Sequence, residues 1–208
     1  METFKTKTGS FCILFLILSL SVSSQDLSGM KDAFSKSYTY EKTKDYAKAI
    51  AAIQDVYDAS SYEANLRLGW LCYESKSYVV SAQYYSKAMA LMPYSIEAKL
   101  GYILPEKALG NASYVKSTYE AILKIDPQNS YANYNLALTA YNNKDYLIAN
   151  TYLEKIVNMY PFDYDITVLY AWNCFQLGKL REAKVLFTKV LLISPDDKSA
   201  LEGLSLIK

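Results

Sequence analysis

Along the chain from Met30 onward, apolar and polar positions follow a helical rhythm, and the rhythm itself recurs. Tyr85, Tyr119, Leu153 and Phe187 stand 34 residues apart, and Ala88, Ile122, Ile156 and Val190 keep the same step. Pro93, Pro127, Pro161 and Pro195 mark the same interval. A fixed spacing of this size is the signature of a repeat architecture, in which one supersecondary unit is copied along the chain. Two helices fit each interval. Ser95, Asn129, Asp163 and Asp197 follow the prolines by two residues, where a short polar side chain can accept from the first free N–H groups of a new helix. The prolines themselves cannot continue the helix before them.

With the proline placed at position 32, the units run 62–95, 96–129, 130–163 and 164–197. An earlier unit, 30–61, is two residues shorter and lacks the proline, but keeps Tyr46, Ala49, Ile53 and Val56 in register. Ser60 and Glu63 read as a capping box at its exit. The polar Lys36 and Ser37 read as a worn N-terminal end. Residues 198–208, with Leu201, Leu204 and Leu206, read as a final capping helix. Small residues at positions 8 and 20 (Gly69, Ala137 and Ala171; Ala49, Ala149 and Ala183) let the two helices of a unit approach closely, and the large residue at 24 fills the space towards the next unit. The third unit departs from the pattern. Pro105 falls inside its first helix, four residues after Gly101, and predicts a kink or an early stop, with Gly101 leaving room for the ring.

These residues resemble the tetratricopeptide repeat, a 34-residue helix–turn–helix unit. The second unit carries Leu68-Gly69, Tyr78, Tyr85, Ala88 and Pro93; the fourth carries Leu136-Ala137, Asp145-Tyr146, Ala149, Ile156 and Pro161; the fifth carries Ala171, Gly178-Lys179-Leu180, Ala183, Phe187 and Pro195. The resemblance implies an all-α fold, a right-handed α-solenoid of about five repeats with a C-terminal cap. It also implies that the outward face of each first helix lines a concave groove that holds peptides.

Composition narrows the chemistry. Histidine is absent, which removes the commonest general base and metal ligand and every Ser-His or Cys-His arrangement. With 22 Lys and Arg against 21 Asp and Glu, no basic excess is available to neutralise a nucleic-acid backbone. No phosphate-cradling glycine loop occurs, and acidic pairs such as Asp163/Asp165 and Asp196/Asp197 suit helix starts better than acid–base work. The expectation is a non-enzymatic protein with no cofactor and no metal. Cys72 and Cys174 share position 11 three repeats apart, too far for a disulfide, and are expected as buried free thiols.

The N-terminus has a different character. Lys5 and Lys7 precede the apolar run Phe11–Leu20, and Val22 and Ser24 stand three and one residues before a cleavage point at Gln25. That arrangement reads as a secretory signal peptide over 1–24, followed by a short linker, 25–29, and an exported protein, periplasmic or secreted. The run is too short for a stable membrane span. Cys12 sits within the apolar run rather than after it, unlike the acylated cysteine of lipoprotein signals.

Positions 2, 5, 9, 12 and 13 of each first helix turn away from its core positions 4, 7, 8 and 11. This outward face carries Phe34 and Tyr38, then Leu66, Trp70 and Tyr73, then Leu100, Leu104 and Lys107, then Tyr131, Tyr134 and Tyr141, and finally Val168, Trp172 and Phe175. A face that should meet water is dominated by aromatics, which points to a binding surface. The leading expectation is a scaffold that presents a groove of Phe34, Tyr38, Leu66, Trp70, Tyr73, Tyr131, Tyr134, Tyr141, Trp172 and Phe175 to a peptide or protein segment. Two alternatives stay open: a structural part of an envelope assembly whose groove is packed internally, and a carbohydrate-binding role for the rings. Arg67, Lys107 and Asn135 are too scattered to form a clamp for a carboxylate.

Overall fold

The computed structural model describes residues 24–207, so the signal-peptide reading of residues 1–23 lies outside the described residues. Among the described residues the chain forms eleven α-helices and no strand. They are α1 (Ser24–Lys42), α2 (Tyr46–Gln54), α3 (Tyr62–Glu74), α4 (Tyr78–Leu91), α5 (Ile96–Ala108), α6 (Ala112–Ile125), α7 (Ser130–Asn142), α8 (Tyr146–Ile156), α9 (Tyr164–Gln176), α10 (Leu180–Ile193) and α11 (Lys198–Leu206). Each odd-numbered helix up to α9 packs against the helix after it, and each pair packs against the next, with α11 closing the stack on α9 and α10. This is an all-α solenoid of helix pairs. Residues 25–29, expected as a linker, lie within α1.

Local chemistry sets the period. Ser61, Ser95, Asn129, Asp163 and Asp197 each accept a hydrogen bond from the backbone N–H three residues on, so every first helix from α3 to α11 starts on the same kind of cap. The cap of α3 is therefore Ser61 and not Ser60, which bonds to Asp58 instead; the expected Ser60/Glu63 box does not form. Between the helices of a pair one residue is left-handed in every unit: Lys44, Lys76, Gly110, Lys144 and Gly178. The following N–H then reaches back over the helix end, as Ser77 N to Cys72 O at 2.8 Å and Lys179 N to Cys174 O at 2.9 Å, which stops the first helix and reverses the chain.

Inside the stack, Ala49, Ala137, Ala149, Ala171 and Ala183 are fully buried, and their small side chains permit the close helix approach expected of them. Tyr85, Tyr119, Leu153 and Phe187 fill the spaces between units. Position 4, expected as a core position, is buried but polar in the second to fifth units. Asn65, Lys99 and Asn133 donate to two carbonyls of the preceding turn, and Thr167 donates to one. The carbonyls of Ala59, Pro93 and Pro127 in the turns thereby gain a partner, while those of Ser61, Asn129 and Asp163 accept a backbone N–H as well. Ser37 is no worn end: it is fully buried and accepts from Arg67 Nε at 3.0 Å.

Pro105 neither stops nor shortens α5, which runs to Ala108 and has the same 13 residues as α3, α7 and α9. The proline sits in the last turn, where it forfeits one N–H bond, to the Gly101 carbonyl, while its own carbonyl still accepts from Leu109 N at 2.9 Å. Gly101 also makes room for a ring of the preceding helix. A Cβ there would stand 2.1 Å from Cε1 of Tyr85.

Candidate functional site

The outward faces of α1, α3, α5 and the start of α7 enclose one cavity of about 640 Å³. Its walls are mostly apolar. Phe34 and Tyr38 come from α1, Leu66 and Trp70 from α3, Leu100 and Leu104 from α5, and Tyr131 from α7. Half of each of Tyr38 and Tyr131 is exposed, while Trp70 and Phe34 are half-buried. Of the ten residues expected in the groove, the structure brings Phe34, Tyr38, Leu66, Trp70 and Tyr131 together here.

The other five lie elsewhere. Tyr73 continues the row beyond Trp70, with ring centroids 6.0 Å apart, and leads to Tyr78 rather than into the cavity. Tyr134 packs against the buried residues beneath α8 and α9. Tyr141 stacks edge-on against Tyr146 at 5.4 Å. Trp172 meets the core ring Phe187 edge-on at 5.0 Å and Phe175 at 5.7 Å, and its indole N–H donates to Ser199 Oγ at 2.7 Å. The aromatic face is thus open over the first repeats and packed on itself in the fifth.

Eight cavity residues were absent from the expected ten: Leu100 and Leu104, which the outward face did include, and Tyr62, Glu63, Arg67, Tyr85, Glu97 and Gly101. Glu63 and Glu97 both occupy position 2, on the outward face, and their charge was the available signal. Arg67 and Tyr85 carry no such signal, because their positions follow from neighbours in other units. Tyr85 belongs to α4, yet its ring passes between Gly69 of α3 and Gly101 of α5 to reach the cavity floor.

One charged cluster stiffens the N-terminal wall. Arg67 is 6% exposed, pairs through Nη2 with Glu41 Oε2 at 2.7 Å and lies over the Tyr38 ring, 3.9 Å from its centroid. The Trp70 indole N–H donates to the other Glu41 oxygen at 2.5 Å. Burial alone would raise the Glu41 carboxyl, but these two donors outweigh it and hold the group below its ordinary range. Arg67 is therefore committed to α1 and closed to a ligand. Across the cavity mouth, Lys107 Nζ lies 5.5 Å and 5.8 Å from the Tyr119 and Tyr131 ring centroids and donates to Asn135. Among the described residues no group of three or more Cys, Asp or Glu is placed to hold a metal ion, and no helix is long and apolar enough to cross a membrane. Cys72 and Cys174 are buried and unbridged, and burial pushes both thiols up to about 11.

The fold and the cavity define an α-helical repeat protein with a concave pocket. A tetratricopeptide repeat family model matches residues 35–96, which includes three of the four helices of the first two units. The chain is similar in structure to a tetratricopeptide repeat protein from Parabacteroides merdae ATCC 43184, at 17% identity, 86% coverage of this chain, 72% of that one and a TM-score of 0.72. It is also similar to MamA: one crystal structure aligns at 17% identity over 81% of this chain and 93% of that one, with a TM-score of 0.68. A MamA AMB-1 structure aligns at 16% identity over 86% and 96%, with a TM-score of 0.66. At these identities the likeness is one of fold. No curated protein matches the chain.

Proposed function

We propose that this protein is an exported, non-enzymatic interaction module that holds an extended segment of a protein partner in the concave cavity of its first four repeats. The carrying observation is the cavity itself: about 640 Å³, walled by aromatic and aliphatic side chains from α1, α3, α5 and α7, on the face that lines the peptide groove in the tetratricopeptide fold. Aromatics at the centre of such a surface concentrate binding energy. The segment does not extend to repeat 5, because Trp172 and Phe175 pack against Phe187 and each other. Export rests on the charged start, apolar run and small-residue site of residues 1–24.

Two measurements test the reading. Selection from a displayed library of random heptapeptides by the mature chain should enrich a family of sequences, and Leu66→Asp, which puts a charge on the cavity wall, should abolish the enrichment while thermal unfolding stays cooperative. Recovery of the same sequences by Leu66→Asp, or of none by the unaltered chain, would sink the groove. Mass spectrometry of the native protein should find Gln25 at its N-terminus; retention of Met1–Ser24, or a lipid on Cys12, would end the export reading.

A further inference from the structure

We infer that the cavity is selective for a basic side chain, lysine or arginine, set within an otherwise apolar partner segment. This rests on the concave groove proposed above and adds the chemistry of its central anchor. Three observations converge on it.

The first is the charge left over. Arg67 is the cavity's one cationic lining residue, and its charge is already balanced: Nη2, sealed from solvent and without a hydrogen-bond partner, is ion-paired with Glu41 at 2.7 Å, and Nε donates to Ser37. Glu63 and Glu97, by contrast, form no ion pair with any described residue. Glu97 accepts only from the Tyr62 hydroxyl at 3.2 Å, and Glu63 only from Ser61 Oγ at 3.2 Å. Two carboxylates over low-dielectric aromatic walls focus a negative potential into the cavity.

The second is the floor. Tyr85 is only 3% exposed, yet it lines the cavity, and its hydroxyl has no hydrogen-bond partner among the described residues. An unpartnered hydroxyl at the tip of a buried side chain that lines a cavity is suited to accept from a ligand donor, and ammonium and guanidinium groups carry three and five. The third is the wall. The rings of Trp70 and Tyr131 line the same cavity as the two carboxylates, and aromatic rings attract cations, most strongly where water is excluded. An acidic anchor would meet two like charges, against one cation without a carboxylate partner, Lys107 at the mouth; a neutral apolar one would leave the Tyr85 hydroxyl unpaired.

The test uses the same random heptapeptide library. Wild-type protein should enrich peptides with Lys or Arg at one fixed place between apolar residues. A synthetic copy of the best one should bind at least tenfold more tightly than its citrulline analogue, followed by Trp fluorescence. Glu63→Gln with Glu97→Gln should remove that tenfold preference and change the affinity of the citrulline peptide less than twofold. Both residues are exposed, so an unchanged melting temperature is expected and serves as the control for folding. Tyr85→Phe, which keeps the ring and removes the hydroxyl, should reduce the preference several-fold. Enrichment of peptides with no basic place, or a preference that survives the double variant, overturns the inference while the groove reading stands. Failure to enrich any peptide overturns both.

Discussion

The ring of Tyr85 lies flat against Gly101 of the next repeat, so close that a Cβ at Gly101 would fall 2.1 Å from Cε1 and 2.6 Å from Cζ. On its other side the same ring would meet a Cβ at Gly69 at 2.9 Å. Two glycines thus form a slot between α3 and α5 through which a side chain of α4 reaches the concave face. Gly203 and Phe187 repeat half of this arrangement at the C-terminal cap, with a Cβ at 2.3 Å from the Phe187 ring.

Gly101→Ala should therefore destabilise the protein, although alanine is the better helix former by about 1 kcal/mol. Displacing a buried ring from a filled core costs about 1–3 kcal/mol, so a net loss of up to about 2 kcal/mol is expected in a urea titration. In a Tyr85→Leu background the same change should become neutral or stabilising. A stabilising effect in the unaltered chain would show that the ring moves aside freely.

The left-handed residues offer the opposite case. Lys76 and Lys144 have φ of 64° and 63°, where an L side chain is strained, whereas Gly110 and Gly178 occupy the equivalent turns without strain. Lys76→Gly and Lys144→Gly should each raise stability by about 0.5–1 kcal/mol, once the greater freedom of glycine in the unfolded chain is subtracted. Gly178→Ala should lower it by a similar amount. Equal midpoints for all three would mean that the turns relax.

Glu41 makes stability depend on pH at the acid end. Its carboxyl lies below the ordinary value of about 4.5 in the folded protein, held down against burial by Trp70 and Arg67. A depressed carboxyl stabilises the fold above its unfolded pKa, and this contribution is lost as pH falls through the folded pKa. Glu41→Gln should thus be less stable than wild type near pH 7, and the gap should close as pH falls through the folded pKa. An undiminished gap at low pH would exclude the carboxylate as the stabilising species.

The two thiols should be inert in the folded state. With both pushed up to about 11 and both buried, the thiolate is scarce at neutral pH and has no access to a bulky reagent. Cys72 and Cys174 are expected to label only after denaturation, each once, and the native mass should show no loss of two hydrogens. Fast labelling of the folded protein would contradict their burial.

The period, the helix pairs and the caps are legible in the sequence because they are made by residues close to one another in the chain. Asn129 meets Ala132 and Ser95 meets Ala98, and the proline interval registers every unit without reference to the others. The interior small residues follow from the same spacing. What the spacing does not contain is the neighbour that completes each environment. Trp70 and Trp172 occupy the same position of their helices, face the same way relative to their own cores, and read alike. Trp70 borders an open cavity because it meets Glu41 of α1 and the slot at Gly101 admits only the Tyr85 ring. Trp172, half-buried like Trp70, instead leans on the ring of Phe187 of α10 and donates to Ser199 of α11. Helical periodicity decides the direction in which a side chain points. Only the packing of segments some thirty residues away decides whether that direction leads to solvent, a cavity or another ring.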